Sequence, residues 1–100
     1  MNVVLTAAAE QDLEAIADWI AQHNPARALS FVRELRRECD ALGDAPEAYV
    51  LVPRYERTGV RRRPYGHYLI FYRFVGDRVE VLHILHGARD YEPILFPESE

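Results

Sequence analysis

Three arginines lead directly into a block of aromatic and aliphatic residues in the second half of the chain, RRRPYGHYLIFYR at residues 61–73. Arginine beside aromatic residues is common on nucleic-acid-binding surfaces, because cations contact the backbone and rings stack on bases. The same residue types are also enriched at the centres of protein–protein interfaces. The segment is therefore a candidate for either kind of site.

Cleavage of RNA through the ribose 2′-hydroxyl is the reaction that these residues could support. It needs a general base, a general acid and cations around the phosphate. Together with several tyrosines, the candidates are Arg61, Arg62, Arg63, Arg73, His86 and Arg89. Proteins that bind polyanions usually carry a positive field, whereas this chain has a formal net charge of −4 and no lysine. A charged, protected edge strand and a protein-binding surface are equally good interpretations of the arginine run.

The charge is unevenly distributed along the chain. Residues 1–50 hold four arginines and nine acidic residues, net −5, and residues 51–100 hold eight arginines and seven acidic residues, net +1. Residues 54–78 alone hold seven arginines against two acidic residues, net +5. Arginine suits fixed, planar contacts with carboxylates or phosphates. A genome rich in arginine codons would produce the same excess.

Histidine and cysteine offer little further chemistry. His83 and His86 are three residues apart on a predicted strand, so they point to opposite faces and cannot share a metal ion. His67 could approach His86 across the hairpin, although ordinary strand histidines are the favoured interpretation. Cys39 lies on the apolar side of a predicted helix and is expected in the core. We therefore expect no nucleophilic site, no metal site and no cofactor.

The first half of the chain predicts a strand and a helical hairpin. The apolar run at 2–5 predicts the strand, and Thr6 is the expected N-cap of the first helix. Its apolar face is formed by residues at helical spacing, Leu13, Ile16, Ala17 and Ile20. Asn24 and Pro25 open a second helix, which is expected to stop at Gly43.

The second half changes to the alternating pattern of strands. Residues 44–59 are a predicted loop with a short extended piece at 49–52. Strands are predicted at 60–63, 67–75 and 78–86. Gly76-Asp77 is the expected hairpin turn. The order β-α-α-β-β-β indicates an α+β fold, with a small, mostly antiparallel sheet packed on the helical hairpin. We expect one domain over residues 1–100, with a C-terminal tail at 89–100.

The central hairpin is apolar on both faces. One face is expected to pack on the helices. The other would expose one row of the long strand, Tyr68, Ile70, Tyr72 and Phe74, or its alternate. An exposed apolar row of this size usually marks a binding surface. Either the tail around 94–96 folds back over it or a partner covers it.

The composition also bounds the location of the protein. The N-terminus, MNVVLTAAAEQDLEAI, lacks the basic start and apolar core of a signal peptide. No apolar run reaches the roughly 20 residues of a membrane span. One cysteine cannot build a disulfide framework or a thiol zinc site. We expect a cytoplasmic protein without membrane contact.

Residues 66–90, GHYLIFYRFVGDRVEVLHILHGARD, resemble the C-terminal half of ParE toxins of the RelE/ParE superfamily. Residues 5–35, LTAAAEQDLEAIADWIAQHNPARALSFVREL, are similar to their helical hairpin. The similarity extends over roughly 3–96. It implies the fold derived above and a type II toxin–antitoxin module. In such a module the antitoxin wraps its C-terminal segment around the toxin. ParE-type toxins act on DNA gyrase, whereas RelE-type toxins of the same fold cut messenger RNA on the ribosome.

The resemblance favours the gyrase branch. In RelE-type enzymes an arginine follows a Gly-Tyr pair, and the equivalent position here is about Leu69. A second catalytic arginine is matched by Arg89, but the lysines of the preceding strand are absent, and only Arg61–Arg63 could replace their charge. The catalytic tyrosine that RelE-type enzymes carry late in their sequence has no clear match here, because Tyr91 comes too early and Phe96 has no hydroxyl. The acid–base set is incomplete.

The resemblance thus implies a toxin that inhibits DNA gyrase by binding, without catalysis of its own, and that a ParD-like antitoxin neutralises in a hetero-oligomer. A ribosome-dependent mRNA endoribonuclease and a non-toxic binding module of the same fold are the alternatives. No specific contact with nucleic acid is expected. The residues expected to contact the target are Arg61, Arg62, Arg63, Tyr72, Arg73, Arg89, Tyr91 and Phe96. The residues expected to contact the antitoxin are Leu13, Ile16, Trp19, Ile20, Tyr68, Ile70 and Phe74.

Overall fold

A computed structural model describes residues 1–98. The elements in chain order are β1 Asn2–Leu5, α1 Ala7–Ala21, α2 Pro25–Ala41, a 3₁₀ turn Glu56–Thr58, β2 Arg61–Tyr65, β3 Tyr68–Val75, β4 Arg78–His86 and the short α3 Glu92–Leu95. The predicted α+β order is confirmed. The loop contains the 3₁₀ turn and a single bridge from Leu51 to Arg61, and the predicted tail contains α3.

The two long helices begin where their capping residues predict. The Thr6 hydroxyl accepts a hydrogen bond from the Ala9 amide at the start of α1, and the Asn24 side chain accepts one from the Arg27 amide at the start of α2. Pro25 occupies the first turn of α2, where its missing N–H has no consequence. The helices pack on one face of the sheet, as the hairpin interpretation predicts.

The sheet has the strand order β1-β4-β3-β2. β1 runs parallel to β4, and the other neighbours are antiparallel. Gly76 has a φ of +61° in the β3–β4 turn, a conformation that glycine adopts without strain. Phe71 pairs with His83 but Tyr72 pairs with Val81, so Leu82 is an extra residue that forms a bulge in β4.

The core has two parts, one on each face of the sheet. The helix-side part joins α1 and α2 to Ile70, Tyr72 and their β4 neighbours. The second part is smaller and contains Val52, Val60, Phe71 and Leu85, against which α3 and the residues around it pack. Of the two ways to cover the second apolar face, the structure shows the one in which the C-terminal segment folds back.

Cys39 belongs to the helix-side core and is fully buried. Its burial raises the pKa of the thiol to about 12. Because only the thiolate is nucleophilic, we expect Cys39 to react with a disulfide reagent at least about 10³-fold more slowly in the native protein than in urea, since reaction requires unfolding. Spectrophotometric titration with an aromatic disulfide checks this. Rapid reaction of the native protein would contradict the burial.

Candidate functional site

The arginine run is held by contacts within the chain. Arg61 donates hydrogen bonds to the backbone carbonyls of Glu47 and Tyr49, at 3.4 and 2.7 Å, and its guanidinium lies 5.7 Å from the Phe74 ring. Arg62 donates to the Tyr91 hydroxyl at 3.0 Å. These two side chains therefore fasten the long loop and the C-terminal segment to the edge strand β2.

Arg63 fastens β2 to the second helix. Its guanidinium pairs with Glu38 on α2 at 2.7 Å and lies over the rings of Tyr49 and Tyr65. Its side chain is largely buried as a result. The basic residues 61–63 thus brace the fold internally, since each has a partner within the chain. Contact of these three arginines with a target remains a prediction.

Tyr72 is also inside the molecule. Its side chain is 0% exposed, and its hydroxyl donates to the Pro46 carbonyl at 2.8 Å. Burial raises the pKa of this phenol. Tyr72 therefore cannot touch a target directly, which corrects the sequence-based expectation. Its strand alternates faces, and residue 72 falls on the face that the helices cover.

Two predicted target residues are exposed cations. The Arg73 side chain is about half-exposed and donates its Nε proton to Glu80 at 3.2 Å. Arg89 lies just after β4, and within residues 1–98 its side chain makes no hydrogen bond or ion pair. Both side chains keep guanidinium donors available for a partner.

The C-terminal segment is anchored by aromatic and charged contacts. The Phe96 ring stacks on Tyr55 at 4.0 Å, and Tyr91 packs on Phe71 at 4.8 Å. Glu92 accepts hydrogen bonds from Arg54 at 2.6 Å and from the Tyr55 hydroxyl at 3.1 Å. Tyr91 and Phe96 are consequently half-buried residues of the second core.

Acidification should loosen this segment. The hydrogen bond from Arg54 lowers the pKa of Glu92 below its ordinary value of 4.5. A carboxylate with a depressed folded-state pKa contributes stability above pH 4.5 and loses it as pH falls through the folded-state value. We expect the protection factors of the Leu95 and Phe96 amides to fall below that pH. Hydrogen exchange, corrected for intrinsic rates, measures this.

Arg54→Gln is the matched control for that experiment. It removes the cation and keeps a polar side chain of similar length. The acid-dependent loss of protection should be smaller in Arg54→Gln than in the parent chain. The same pH profile in both proteins would rule out the Glu92 contact as the cause.

The predicted antitoxin residues separate into two groups. Leu13, Ile70 and nearly all of Ile16 are buried in the helix-side core, and Phe74 packs against that core under Arg61. Residues 68, 70, 72 and 74 of β3 thus form the row that α1 and α2 cover, and the alternate row, which contains Phe71, faces the C-terminal segment. The other residues, Trp19, Ile20 and Tyr68, come together at one end of the sheet.

These residues line a groove of about 410 Å³, called here the aromatic groove. It lies between α1, the start of α2 and the end of the sheet where β3 begins and β4 finishes. Its walls are Trp19, Ile20, Arg27, Phe31, Gly66, His67, Tyr68 and His86. The Trp19 side chain is 66% exposed, which is unusual for so large an apolar residue. Gly66, with a φ of +58°, makes the turn that brings His67 beside the groove.

A chain of stacked rings forms the floor of the groove. The Tyr68 ring lies 5.6 Å from Phe31 and 5.4 Å edge-on to His86. His67 stacks on His86 at 6.0 Å, so the predicted approach of these two histidines is confirmed. Such packing holds the side chains in fixed positions, and a preformed apolar surface reduces the entropy cost of binding.

A smaller hollow of about 150 Å³ continues the groove past Tyr68 and His86. It is lined further along by Asp12, Ile16 and Arg89. The two ends of the combined surface carry cations, Arg27 at one end and Arg89 at the other. Arg27 pairs with Glu34, whereas the Arg89 guanidinium is available.

Asp12 makes structural contacts that the sequence patterns did not reveal. Its Oδ2 atom accepts hydrogen bonds from the Ile84 amide at 2.9 Å and contacts His83 Nδ1 at 2.8 Å. Asp12 thereby supplies a hydrogen-bond acceptor to the edge of β4 at a position beyond the end of the short β1. The partners are 71 and 72 residues away in sequence, so no local pattern connects them.

The described residues offer neither a metal site nor a membrane span. Within residues 1–98, no group of three or more histidine, cysteine, aspartate or glutamate side chains could hold a metal ion. In the same part of the chain, helices long and apolar enough to cross a bilayer are absent. The aromatic groove offers rings for apolar side chains and the adjoining hollow offers the Arg89 guanidinium, a combination typical of surfaces that bind amphipathic segments.

Comparison with known proteins agrees with this fold. No curated protein sequence matches the chain at a significant level. A solved structure described as a chromosomal ParDE toxin–antitoxin system from P. aeruginosa has the same fold, with a TM-score of 0.72 and 24% identity over 86% of this chain and 95% of that one. The model of the family described as the ParE toxin of the type II toxin–antitoxin system parDE matches residues 3–91. Because that match covers most of its length, this chain belongs to the ParE toxin family of type II toxin–antitoxin systems.

Proposed function

We propose that this ParE-family toxin is neutralised by a ParD-like antitoxin whose acidic, amphipathic segment occupies the aromatic groove. The proposal rests mainly on the solvent exposure of Trp19. A tryptophan and a row of rings in a preformed groove are typical anchors for a partner. Trp19, Ile20 and Tyr68 would contact apolar side chains of the antitoxin. Arg89 would pair with one of its carboxylates.

The proposed target is DNA gyrase, inhibited by binding rather than by a reaction that the toxin catalyses. Membership of the ParE family supports this target. Arg73 and the C-terminal segment from Tyr91 to Phe96 are the proposed contacts, since they lie away from the aromatic groove and retain partly exposed side chains. The residues of the arginine run would act indirectly, by holding β2, the loop and Tyr91 in place.

One observation favours a second candidate, ribosome-dependent cleavage of messenger RNA. Tyr68, His86 and Arg89 line the same hollow, so a hydroxyl, an imidazole and a guanidinium lie close together. Such groups could supply a proton donor, a proton acceptor and a cation. This reaction predicts RNA cleavage in a translation mixture that Arg89→Ala abolishes.

Expression in bacteria separates these proposals from a non-toxic binding module. The chain is produced from a tightly repressed promoter, alone or together with the protein encoded by the neighbouring reading frame. We expect growth arrest with induction of the DNA-damage response, and rescue by the neighbouring protein. Arrest without DNA damage would favour RNA cleavage, and normal growth with the folded protein present would favour the binding module.

A further inference from the structure

A second cavity, called here the tail cleft, lies between the C-terminal segment and the sheet. It has a volume of about 420 Å³. Residues at the start of α1, at the end of the 3₁₀ turn, on β3 and β4 and in α3 form its walls, among them Arg73, Leu82 and His83. None of these residues lines the aromatic groove or its hollow. The tail cleft is therefore separate from the surface that the antitoxin segment is proposed to occupy.

The polar side chains of the tail cleft are suited to an anionic group. Arg73 uses Nε to bind Glu80, and within residues 1–98 its terminal amino groups make no hydrogen bond. His83 is fixed at Nδ1 by Asp12, which leaves Nε2 as the ring nitrogen for a ligand. Among the described residues, no aspartate or glutamate lines the cleft. An incoming carboxylate would thus meet positive or hydrogen-bonding groups.

The remaining walls are aliphatic. Val60, Leu82, Ile94 and Leu95 supply them, and the Phe96 ring already stacks on Tyr55. Nucleic-acid sites need open ring faces and a positive field, whereas this chain is acidic overall. A peptide with one carboxylate beside a large apolar side chain matches these walls better.

We propose that the tail cleft binds an acidic, apolar segment of a second protein, with the carboxylate held by Arg73 and His83. The bulge at Leu82 helps to form the site, because the extra residue turns both Leu82 and His83 toward the cleft. This inference rests on the proposed function and extends it by giving the toxin a contact surface for its target that is distinct from the aromatic groove. Gyrase is the first protein to test as that partner.

Replacement of either of two neighbouring alanines in α1 by glutamate tests the cleft without removing any existing contact. Ala8 lines the cleft, and its neighbour Ala7 is exposed and does not. Glutamate at either position lies in the first turn of the helix, where the dipole favours an acid, so both variants should fold. Ala8→Glu places a competing carboxylate in the cleft, whereas Ala7→Glu adds the same charge outside it.

The probe is the peptide acetyl-Leu-Glu-Phe-amide, titrated into the isotope-labelled full chain and followed by NMR. We expect saturable shifts at Thr58, Arg73 and His83, about tenfold weaker binding to Ala8→Glu, and unchanged binding to Ala7→Glu. A peptide with glutamine in place of glutamate should bind more weakly. Absence of shifts at these residues, or equal binding to both variants, would overturn the proposal. Shifts with oligothymidylate but not with the peptide would overturn it in favour of a nucleic-acid site.

A gyrase assay with the same two variants separates this inference from the proposed function. Weaker inhibition by Ala8→Glu than by Ala7→Glu, with equal antitoxin binding, would support both. If the parent chain leaves gyrase unaffected while the peptide still binds the cleft, the gyrase proposal fails and the cleft proposal stands. If Ala8→Glu inhibits gyrase as well as Ala7→Glu does, the cleft is not the gyrase contact.

Discussion

Replacing Trp19 with glutamate is expected to weaken antitoxin binding by about 30-fold or more, because buried interface tryptophans commonly contribute 2 kcal/mol or more. The substitution removes a large ring from the aromatic groove and places a carboxylate where the proposed partner is acidic. The Trp19 side chain is mostly solvent-exposed in the free chain, so folding should be little affected. Calorimetric titration with the protein of the neighbouring reading frame measures the effect.

Leu29→Glu is the matched control for this prediction. Leu29 is likewise an exposed apolar residue, at 55%, but it lies on α2 and does not line the groove. Its replacement introduces the same charge at a similar cost to the fold. Equal losses of affinity for the two variants would show that the antitoxin does not use Trp19 specifically, and the groove would have to be reassigned.

Replacing Phe71 with alanine is expected to lower the free energy of unfolding by about 3–5 kcal/mol. Phe71 is fully buried in the second core, in contact with Tyr91 of the C-terminal segment. Its loss would leave a cavity and remove the surface on which that segment packs. Urea unfolding followed by circular dichroism measures the change, and hydrogen exchange of the Leu95 amide should show reduced protection.

Val75→Ala on the same strand is the comparison for Phe71→Ala. Residue 75 faces the same side of β3 but lies beyond the C-terminal segment and is 47% exposed. We expect Val75→Ala to lower the free energy of unfolding by less than about 1 kcal/mol, since little buried surface is lost. A similarly small effect of Phe71→Ala would mean that the segment does not cover the sheet in solution.

The helical hairpin and the order of strands could be predicted because local signals specify them. Thr6 and Asn24 cap helices through hydrogen bonds to residues only three positions away. Gly76 forms the β3–β4 turn through its own backbone conformation. The alternation of apolar residues on β3 also showed that both faces of the sheet need cover. It did not show which face belongs to the helices, because a strand with apolar residues on both sides has no preferred orientation.

The candidate site was less predictable because its contacts are distant in sequence. Arg62 meets Tyr91 across 29 residues, and Asp12 meets His83 across 71. From sequence, an arginine run implies exposed charge, since arginine is usually at the surface. Here aromatic rings and backbone carbonyls from the loop surround Arg61 and Arg63 instead. Trp19 and Tyr68 were predicted at the antitoxin surface and do line one groove, and that role remains a proposal.

The measurement that tests the proposed function most directly is a supercoiling assay with purified DNA gyrase, relaxed plasmid and the folded chain, read together with the amount of cleaved DNA. We expect supercoiling to fall and linear plasmid to accumulate after protein denaturation, with both effects reversed by the cognate antitoxin. The Trp19→Glu variant should still inhibit gyrase but resist that reversal. Unchanged supercoiling, with the folded chain in clear excess over gyrase, would contradict the gyrase proposal.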